Sequence, residues 1–425
     1  MMHVMKHKTI SLAAAAALAL GSACAHAEIG FKAGAWDLSF SGNVNGFATW
    51  NTCDTKSAAV NGGLACNRPS PDSSKEAAIE SGLLPSALVF SAKSRQAGLD
   101  IGVTLGFYPG ITSSATGKRG LGASTIDMRQ NFLTFGDKSW GTVKVGRDIG
   151  LFASDAILSD MTLLGVGSGG AFLGGNTTLG RIGIGYIYTD WIPQITYSSP
   201  NYGGFQYSAG VFQGVDVFPF SANPSSASLT GHEQPGFQAK ASYEWGGRIS
   251  GKAWVGGMHQ QVKARAGDAA VPIPPAITGV LIPAGSSVSG QAFDIGAKVN
   301  SGGLEGVLYA YTGDGVGTTA IGFDAATLVG GQLEKRKSKG WYAQGTYKMG
   351  KWKPGISYGV SKLDLASNET SSNLVKENKS LVLGLYYSLT PSLNLVAEYI
   401  PTTAKNQAGE EVKDKVIALG AILFF

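Results

Sequence analysis

Charge is scarce in this chain. Asp, Glu, Lys and Arg make up 15 % of its 425 residues, against ~25 % in ordinary soluble domains. A disordered chain, which is held open by high charge and low hydrophobicity, is thereby excluded. Long apolar runs are missing as well. No stretch after residue 30 reaches the ~18 apolar residues of a membrane-spanning helix, and the mean hydropathy of +0.06 is too polar for a helical membrane protein. Histidine is rare: past the N-terminal leader only His232 and His259 remain, too few for a histidine metal site. No cofactor and no metal are expected. The net charge of +5 is spread along the chain, so nucleic acid is not an expected partner. What is abundant is glycine, 61 residues, roughly twice the usual share of ~7 %, together with aromatic residues at 10 %. Few charges, much glycine and many aromatics point to an all-β protein, and foremost to a membrane barrel.

The first residues read as a secretory signal. Lys6, His7 and Lys8 form a positive start, Ile10 to Leu20 a short apolar core, and Ala25-His26-Ala27 a cleavage site. The expected division is a signal peptide over 1–27 and a single barrel domain over 28–425. Lipoprotein processing at Cys24 fits less well, because Gly21 stands where that signal wants Leu. Two cysteines remain after cleavage, Cys53 and Cys66. Export permits a disulfide between them. It would close a short loop and add about 3 kcal/mol in the chain-entropy model.

The rest of the chain alternates with period two, as a strand with two unlike faces does. Trp36, Leu38, Phe40, Val44, Ala48 and Trp50 share one face, and Asp37, Ser39, Ser41, Asn43, Asn45 and Thr49 the other. Phe237, Ala239, Ala241, Tyr243 and Trp245 likewise oppose Gln238, Lys240, Ser242 and Glu244. Apolar faces often end in aromatics, as lipid-facing strands do at the headgroup level. Short links such as Gly246–Arg248 and Thr390–Ser392 alternate with long polar ones near 51–85, 148–190, 214–235, 261–289 and 313–338, the habit of outer-membrane barrels. The expected fold is a 16-stranded antiparallel transmembrane β-barrel, from a first strand at 36–50 and a second at 86–93 to a last at 413–425. Such a barrel leaves an aqueous channel.

Three places carry a resemblance to a family. Phe135-Gly136-Asp137-Lys138-Ser139-Trp140-Gly141-Thr142-Val143-Lys144-Val145-Gly146-Arg147 is a strand with a Gly-Arg end. Tyr197-Ser198-Ser199-Pro200-Asn201-Tyr202-Gly203-Gly204-Phe205 is a turn, and the chain stops at Phe425 after Ile417, Leu419, Ala421 and Leu423 on one face. In these motifs the chain resembles the general trimeric porins of Gram-negative outer membranes. It departs from them in Ser86-Ala87-Leu88-Val89-Phe90-Ser91, where the family usually carries an arginine. The resemblance implies a passive diffusion channel for small hydrophilic solutes and ions in the cell outer membrane. It also implies a homotrimer, contacts with membrane lipid and lipopolysaccharide, and transient engagement of the barrel-assembly machinery through Phe425.

The resemblance further implies that the third loop, about 148–190, folds inward and makes a short helical turn near Ser154. Asp155 and Asp160 would then face the basic residues Arg129, Lys144 and Arg147 across a constriction. Alternation puts Asp127, Arg129 and Asn131 inward and Phe132 outward. Strict parity sends Arg147 outward, at ~2–4 kcal/mol if it meets lipid at mid-depth; a kink at Gly146 would turn it inward. Lys240, Lys252, Lys298 and Lys348 fall on polar faces. With Asp127 and the acids Asp100, Glu244, Asp294 and Glu398 they would form a balanced pore wall. A channel selective for small organic anions is the alternative, and it would show a ladder of basic residues. An outer-membrane barrel enzyme would need a base and nucleophile around His259, and none can be read. The Gly165-Val166-Gly167-Ser168-Gly169-Gly170 pattern lacks the strand-turn-helix setting of a nucleotide loop. The basic run Lys335-Arg336-Lys337-Ser338-Lys339 is expected at an exposed loop base, with binding of lipopolysaccharide phosphates or guiding of anions inward as the alternative.

Overall fold

Alternating residues become strand nearly throughout the computed structural model. It describes residues 29–54, 60–66, 74–111, 126–168, 177–215, 232–263, 287–330 and 332–425; the signal segment 1–27 lies outside the described residues. The early strands are β1 (Ile29–Ala33), β2 (Trp36–Cys53), β3 (Lys75–Glu80), β4 (Ala87–Gln96), β5 (Leu99–Pro109), β6 (Ile126–Asp137) and β7 (Gly141–Ile149). After a long link come β8 (Trp191–Ser198), β9 (Phe205–Phe212), β10 (Gly236–Trp245), β11 (Ile249–Lys263), β12 (Ser287–Ser301) and β13 (Leu304–Asp314). A small hairpin, β14 (Ala326–Val329) with β15 (Gln332–Lys335), precedes β16 (Lys337–Tyr347), β17 (Trp352–Asp364), β18 (Val375–Ser388), β19 (Leu393–Asn406) and β20 (Glu411–Phe424). The helical pieces among the described residues are α1 (Ser154–Ser159) and a 3-10 turn at Met161–Leu164, both in the link between β7 and β8. No helix among the described residues is long and apolar enough to cross a membrane.

Each wall strand pairs antiparallel with the next, and β20 returns to β2 from Asn43↔Phe424 to Cys53↔Asp414. The strands β3 and β4 lie end to end against β2, at Phe47↔Glu80 and Asn43↔Ala87. Counted as one wall strand, they bring the closed barrel to the expected 16. The second strand is thus longer than 86–93: its upper half lies in the stretch read as loop, and residues 81–86 interrupt it. Asn43 and Asn45 serve that interruption. Asn45 Nδ2 donates to the Leu84 carbonyl at 2.8 Å, Asn43 Nδ2 to that of Pro85 at 3.1 Å, and Asn45 Oδ1 accepts from Gly82 N at 2.9 Å. At the seam, Phe425 exchanges two backbone bonds with Gly42, at 2.8 and 3.1 Å.

The faces are sorted as a lipid-embedded wall requires. Val44, Ile79, Ile195, Phe293, Ile295, Leu308, Ile356 and Leu419 are exposed, while Asn45, Thr49, Gln194, Asn378, Ser380 and Asn394 are buried. Each exposed aliphatic or aromatic group would gain ~1.5–3 kcal/mol from an apolar surround, so this belt is stable only in hydrocarbon.

One phase error in the alternation has a local cause. Between β5 and β6 the register shifts: Gly106 stands opposite Gln130 and Phe107 opposite Met128, so Arg129 falls between two register positions. The β-bulge adds one residue and reverses the parity beyond it. Asp127 and Arg129 lie on the polar face as expected, but so do Gln130, Phe132 and Thr134. Asn131 instead shares the exposed face of Leu133 and Phe135. The expected inward Asn131 and outward Phe132 are therefore exchanged.

Candidate pore-lining site

The link between β7 and β8 is fastened to the polar face of one strand after another. At its start Gln238 Oε1 of β10 accepts from Leu151 N and Phe152 N at 2.8 and 3.0 Å. Asp294 of β12 accepts from Ala153 N at 2.8 Å. The Tyr342 hydroxyl of β16 donates to the Ala156 carbonyl at 2.8 Å. Gln344 takes Met161 N at 2.7 Å and gives its amide to the Ser159 carbonyl at 2.9 Å. Glu398 of β19 takes Val166 N and Gly167 N at 2.8 and 2.9 Å, and the Tyr386 hydroxyl at 2.8 Å. Further on, Ser361 Oγ of β17 accepts from Gly185 N at 2.9 Å. Arg181, wholly buried, donates to the Ser357 and Ser380 carbonyls at 3.4 and 3.2 Å. Phe152, Ala156, Tyr186 and Ile187 pack with Trp254, Tyr309 and Tyr342 beneath these bonds. The glycine-rich stretch at 165–168 thus holds a carboxyl group of the protein itself, that of Glu398, through the backbone amides of Val166 and Gly167.

Charged groups gather beside this segment in paired sets. Asp155, in the first turn of α1, meets Lys240 at 2.8 Å and Lys252 at 2.7 Å. Burial pushes its carboxyl up, but the two ammonium groups outweigh burial and hold it well below the usual carboxylate range. Lys240 also donates to Ser154 Oγ at 2.9 Å, and Lys252 reaches Glu244 at 3.4 Å. Lys252 stands directly across from Lys298 in the β11–β12 register. Glu305 then joins Lys298 at 2.9 Å and Lys353 at 3.5 Å. A second set lies on β6 and β7. Lys144 pairs with the fully buried Asp148 and lies 5.0 Å above the Phe132 ring. Asp148 also accepts from Gln130 Nε2 at 3.1 Å. Arg129 meets Asp127 at 2.8 Å and covers the Tyr108 ring at 5.6 Å.

This arrangement differs from the expected constriction in its pairings. Asp155 faces Lys240 and Lys252, not Lys144 or Arg129. Asp160 does not offer a free acid: it is buried, caps the 3-10 turn through Thr162 N at 2.9 Å and accepts from the Tyr186 hydroxyl at 2.8 Å. Burial raises its pKa, with Arg181 and these bonds opposing. Arg147 is exposed, across from Asn131 and Pro193. The registers of β6, β7 and β8 run without a shift through Gly146, despite its φ of 131°, so no kink turns Arg147 to the polar face. Lys348 sits exposed in the short turn after β16 rather than on the wall. Within the basic run, Arg336 is wholly buried and bound through two nitrogens to Glu369 at 2.9 and 2.6 Å. Lys335 is 3.9 Å from Asp314. The Cys53–Cys66 disulfide is formed, with Cα atoms 5.3 Å apart. Among the described residues no group of three or more His, Cys, Asp or Glu could hold a metal ion.

Sequence reasoning missed Arg181 and the anchoring work of Gln238, Gln344 and Tyr342. It noted Asp294 and Glu398 as wall acids. Their apolar-flanked positions on polar faces were the available signal, and a side chain that holds a loop looks the same in sequence as one that faces water.

No curated protein matches this chain. Several solved barrels are similar in structure. The outer membrane channel DcaP of Acinetobacter baumannii superimposes with a TM-score of 0.67 at 16 % identity, covering 93 % of this chain and 99 % of that one. OmpF of Salmonella typhi, solved with daunomycin, gives 0.54 at 14 %, covering 93 % and 100 %. OmpT of Vibrio cholerae in its trimer form gives 0.52 at 14 %, covering 92 % and 100 %. At these identities the likeness speaks for the barrel fold alone. The family model described as Gram-negative porin matches residues 13–407, nearly the whole chain. With a closed 16-strand wall, an apolar outer belt and a polar inner face, the chain belongs to the Gram-negative porins, outer-membrane channels for passive diffusion.

Proposed function

We propose that residues 150–168 and 177–190 fold into the lumen and narrow it, and that the charged collar around Asp155 sorts the small hydrophilic solutes and ions that pass. The observation that supports this most is Asp155 itself, carried on α1 and held between two wall lysines on β10 and β11. Opposed charges beside a water-filled gap create a transverse field, which orients polar solutes without binding them tightly. The paired sets largely cancel, so the expected ion preference is weak. The role is transport, with no bond made or broken. In the membrane the protein is read as a homotrimer in contact with lipid and lipopolysaccharide, its last strand and Phe425 read by the assembly machinery. A preference for small organic anions has one observation in its favour. Among the described residues, Lys240, Lys252, Lys298 and Lys353 form ion pairs with three acids, Asp155, Glu244 and Glu305.

Reconstitution in a planar bilayer tests the reading, with conductance and reversal potential recorded across a salt gradient. Discrete, weakly selective channels are the expected result. No channel activity from correctly folded protein would overturn it. Block by millimolar organic carboxylates, but not by neutral sugars, would favour the anion-selective form.

A further inference from the structure

The link between β13 and β14, residues 315–325, is not built like a solvated loop. Every residue from Gly315 to Thr327 is buried, and Val316, Ala320, Ile321, Phe323 and Ala325 make the segment largely apolar. The link after β17 shows the contrast, with Ser367, Asn368, Thr370, Ser372 and Asn373 exposed. Loops on a surface keep much of their backbone in water, so burial this complete needs cover on both sides.

One side is the polar face of the wall. Gly290, Ala292 and Gly313 have the parity opposite to the exposed Phe293, Ile295 and Leu308. A Cβ on Gly290 would strike the Gly315 carbonyl, and one on Gly313 would strike Val316, so small wall residues let the link lie close. The other side is the β7–β8 link. Tyr188 N donates to the Thr319 carbonyl at 2.8 Å, and Val316 and Ile321 share a buried cluster with Ile184 and Tyr186. The segment also closes on itself. Gly322 N donates to the Val316 carbonyl at 3.1 Å, and at Gly317, with a φ of 79°, a Cβ would collide with the Phe323 carbonyl. Thr318–Ile321 is therefore a tip on a narrow base. Arg336 holds that base. Its carbonyl accepts from Gly315 N at 2.9 Å, its backbone N donates to the Ala325 carbonyl at 2.9 Å, and its guanidinium donates to the Asp324 carbonyl at 3.0 Å. The same guanidinium forks onto Glu369 and ties the base to the link after β17.

We propose that residues 315–325 are a second inward-folded link whose tip narrows the channel and sets its size limit, with Arg336 as the residue that positions the tip. The proposal rests on the lumen placement of the β7–β8 link put forward above and adds a second element to it. Thr318, Thr319, Ala320 and Ile321 carry no charge, so the tip discriminates by size, while the collar at Asp155 discriminates by sign. Asp127, Lys144 and Lys240, on β6, β7 and β10, keep part of their side chains exposed, and the open path runs on their side of the barrel.

The test uses the full-length protein in planar bilayers, with neutral polyethylene glycols of graded size as probes. Removing Thr318–Ile321 joins Gly317 to Gly322 where the chain already meets itself. This variant should show a larger unitary conductance and admit larger polymers, with an unchanged reversal potential. Arg336→Gln leaves Glu369 as a buried charge without its partner, a loss on the order of 100-fold in an equilibrium. The fraction of time spent in a larger conductance state should rise by that factor. Adding Glu369→Gln to it should lower that fraction again, since no charge is then left unpaired, a recovery that general loosening of the barrel would not give. Wild-type conductance and polymer limit in the deletion, with heat-modifiability intact, would overturn the proposal. If the deletion yields no folded barrel, a single wild-type conductance level in Arg336→Gln would overturn it. Asp155→Asn separates the two readings. A shifted reversal potential there, with no effect of the deletion, refutes the second link alone, and no effect of either variant refutes both.

Discussion

Replacing Asp155 with asparagine should make the channel prefer anions, by an amount that can be worked out. The carboxylate is the common partner of Lys240 and Lys252, whose side chains are 22 % and 29 % exposed, so the change uncovers positive charge at the edge of water. A unit charge about 5 Å from a passing ion is worth ~0.8 kcal/mol in water, and screening at 0.1 M salt reduces this to ~0.5 kcal/mol. An anion gains that amount and a cation loses it. The permeability ratio should then move about fivefold toward anions. At 1 M salt the Debye length is ~3 Å, the same interaction falls to ~0.2 kcal/mol, and the ratio should move less than about twofold. Reversal potentials at both salt concentrations provide the assay. Asp160→Asn is the matched control, since that carboxyl is buried within the link and should move the ratio far less. The difference between wild type and Asp155→Asn should also persist from about pH 7 to 5, because Asp155 ionises below the ordinary carboxylate range and its contribution fades only as pH falls through that lowered value. An unchanged reversal potential in Asp155→Asn, or a shift as large at 1 M as at 0.1 M, would refute the placement of the collar in the ion path.

Other expectations follow from the same geometry. Arg147→Glu should leave selectivity nearly unchanged, whereas Lys144→Glu should shift the reversal potential toward cations; equal shifts would contradict the outward position of Arg147. The double variant Cys53→Ser/Cys66→Ser should unfold at lower temperature on heat-modifiability gels, by up to about 3 kcal/mol in the chain-entropy model, and reductant should bring wild type to the same midpoint. Deleting Phe425 removes the two backbone bonds to Gly42 and should reduce outer-membrane levels while export continues; normal surface levels would argue against its role in assembly.

The wall was legible in the sequence because its rule is simple. Lipid tolerates apolar side chains and the chain alternates, so strands such as β10, β16 and β20 can be drawn within a few residues of their true ends. The errors fall where one face does two jobs. At Arg129 a single extra residue inverted the phase, which no count of alternate residues detects without the partner strand. At Glu80 the strand breaks for six residues, and the glycine- and proline-containing segment 81–85 read as loop together with β3 before it, although strand lies on both sides. Asp160 and Arg336 looked like solvated charges. Their partners Tyr186 and Glu369 lie 26 and 33 residues away, brought close only by the folded links. Asp155 reads in sequence as an acid facing Arg129, Lys144 and Arg147, but its lysines sit on strands 85 and 97 residues later, and that pairing depends on how the link packs on those strands.

The break at 81–86 has a bearing on pore engineering. Leu83 N donates to the Gly165 carbonyl at 2.9 Å, and the Gly82 carbonyl accepts from Thr178 N at 3.1 Å; a Cβ on Gly82 would collide with the Gly165 carbonyl. The link therefore serves as a patch over a gap in the second stave of the barrel. Cutting it out to obtain a wider nanopore would strip hydrogen-bond partners from that stave and open a lateral leak. A larger bore is better sought by trimming side chains at the collar, with 165–168 and 177–180 left in place as part of the container.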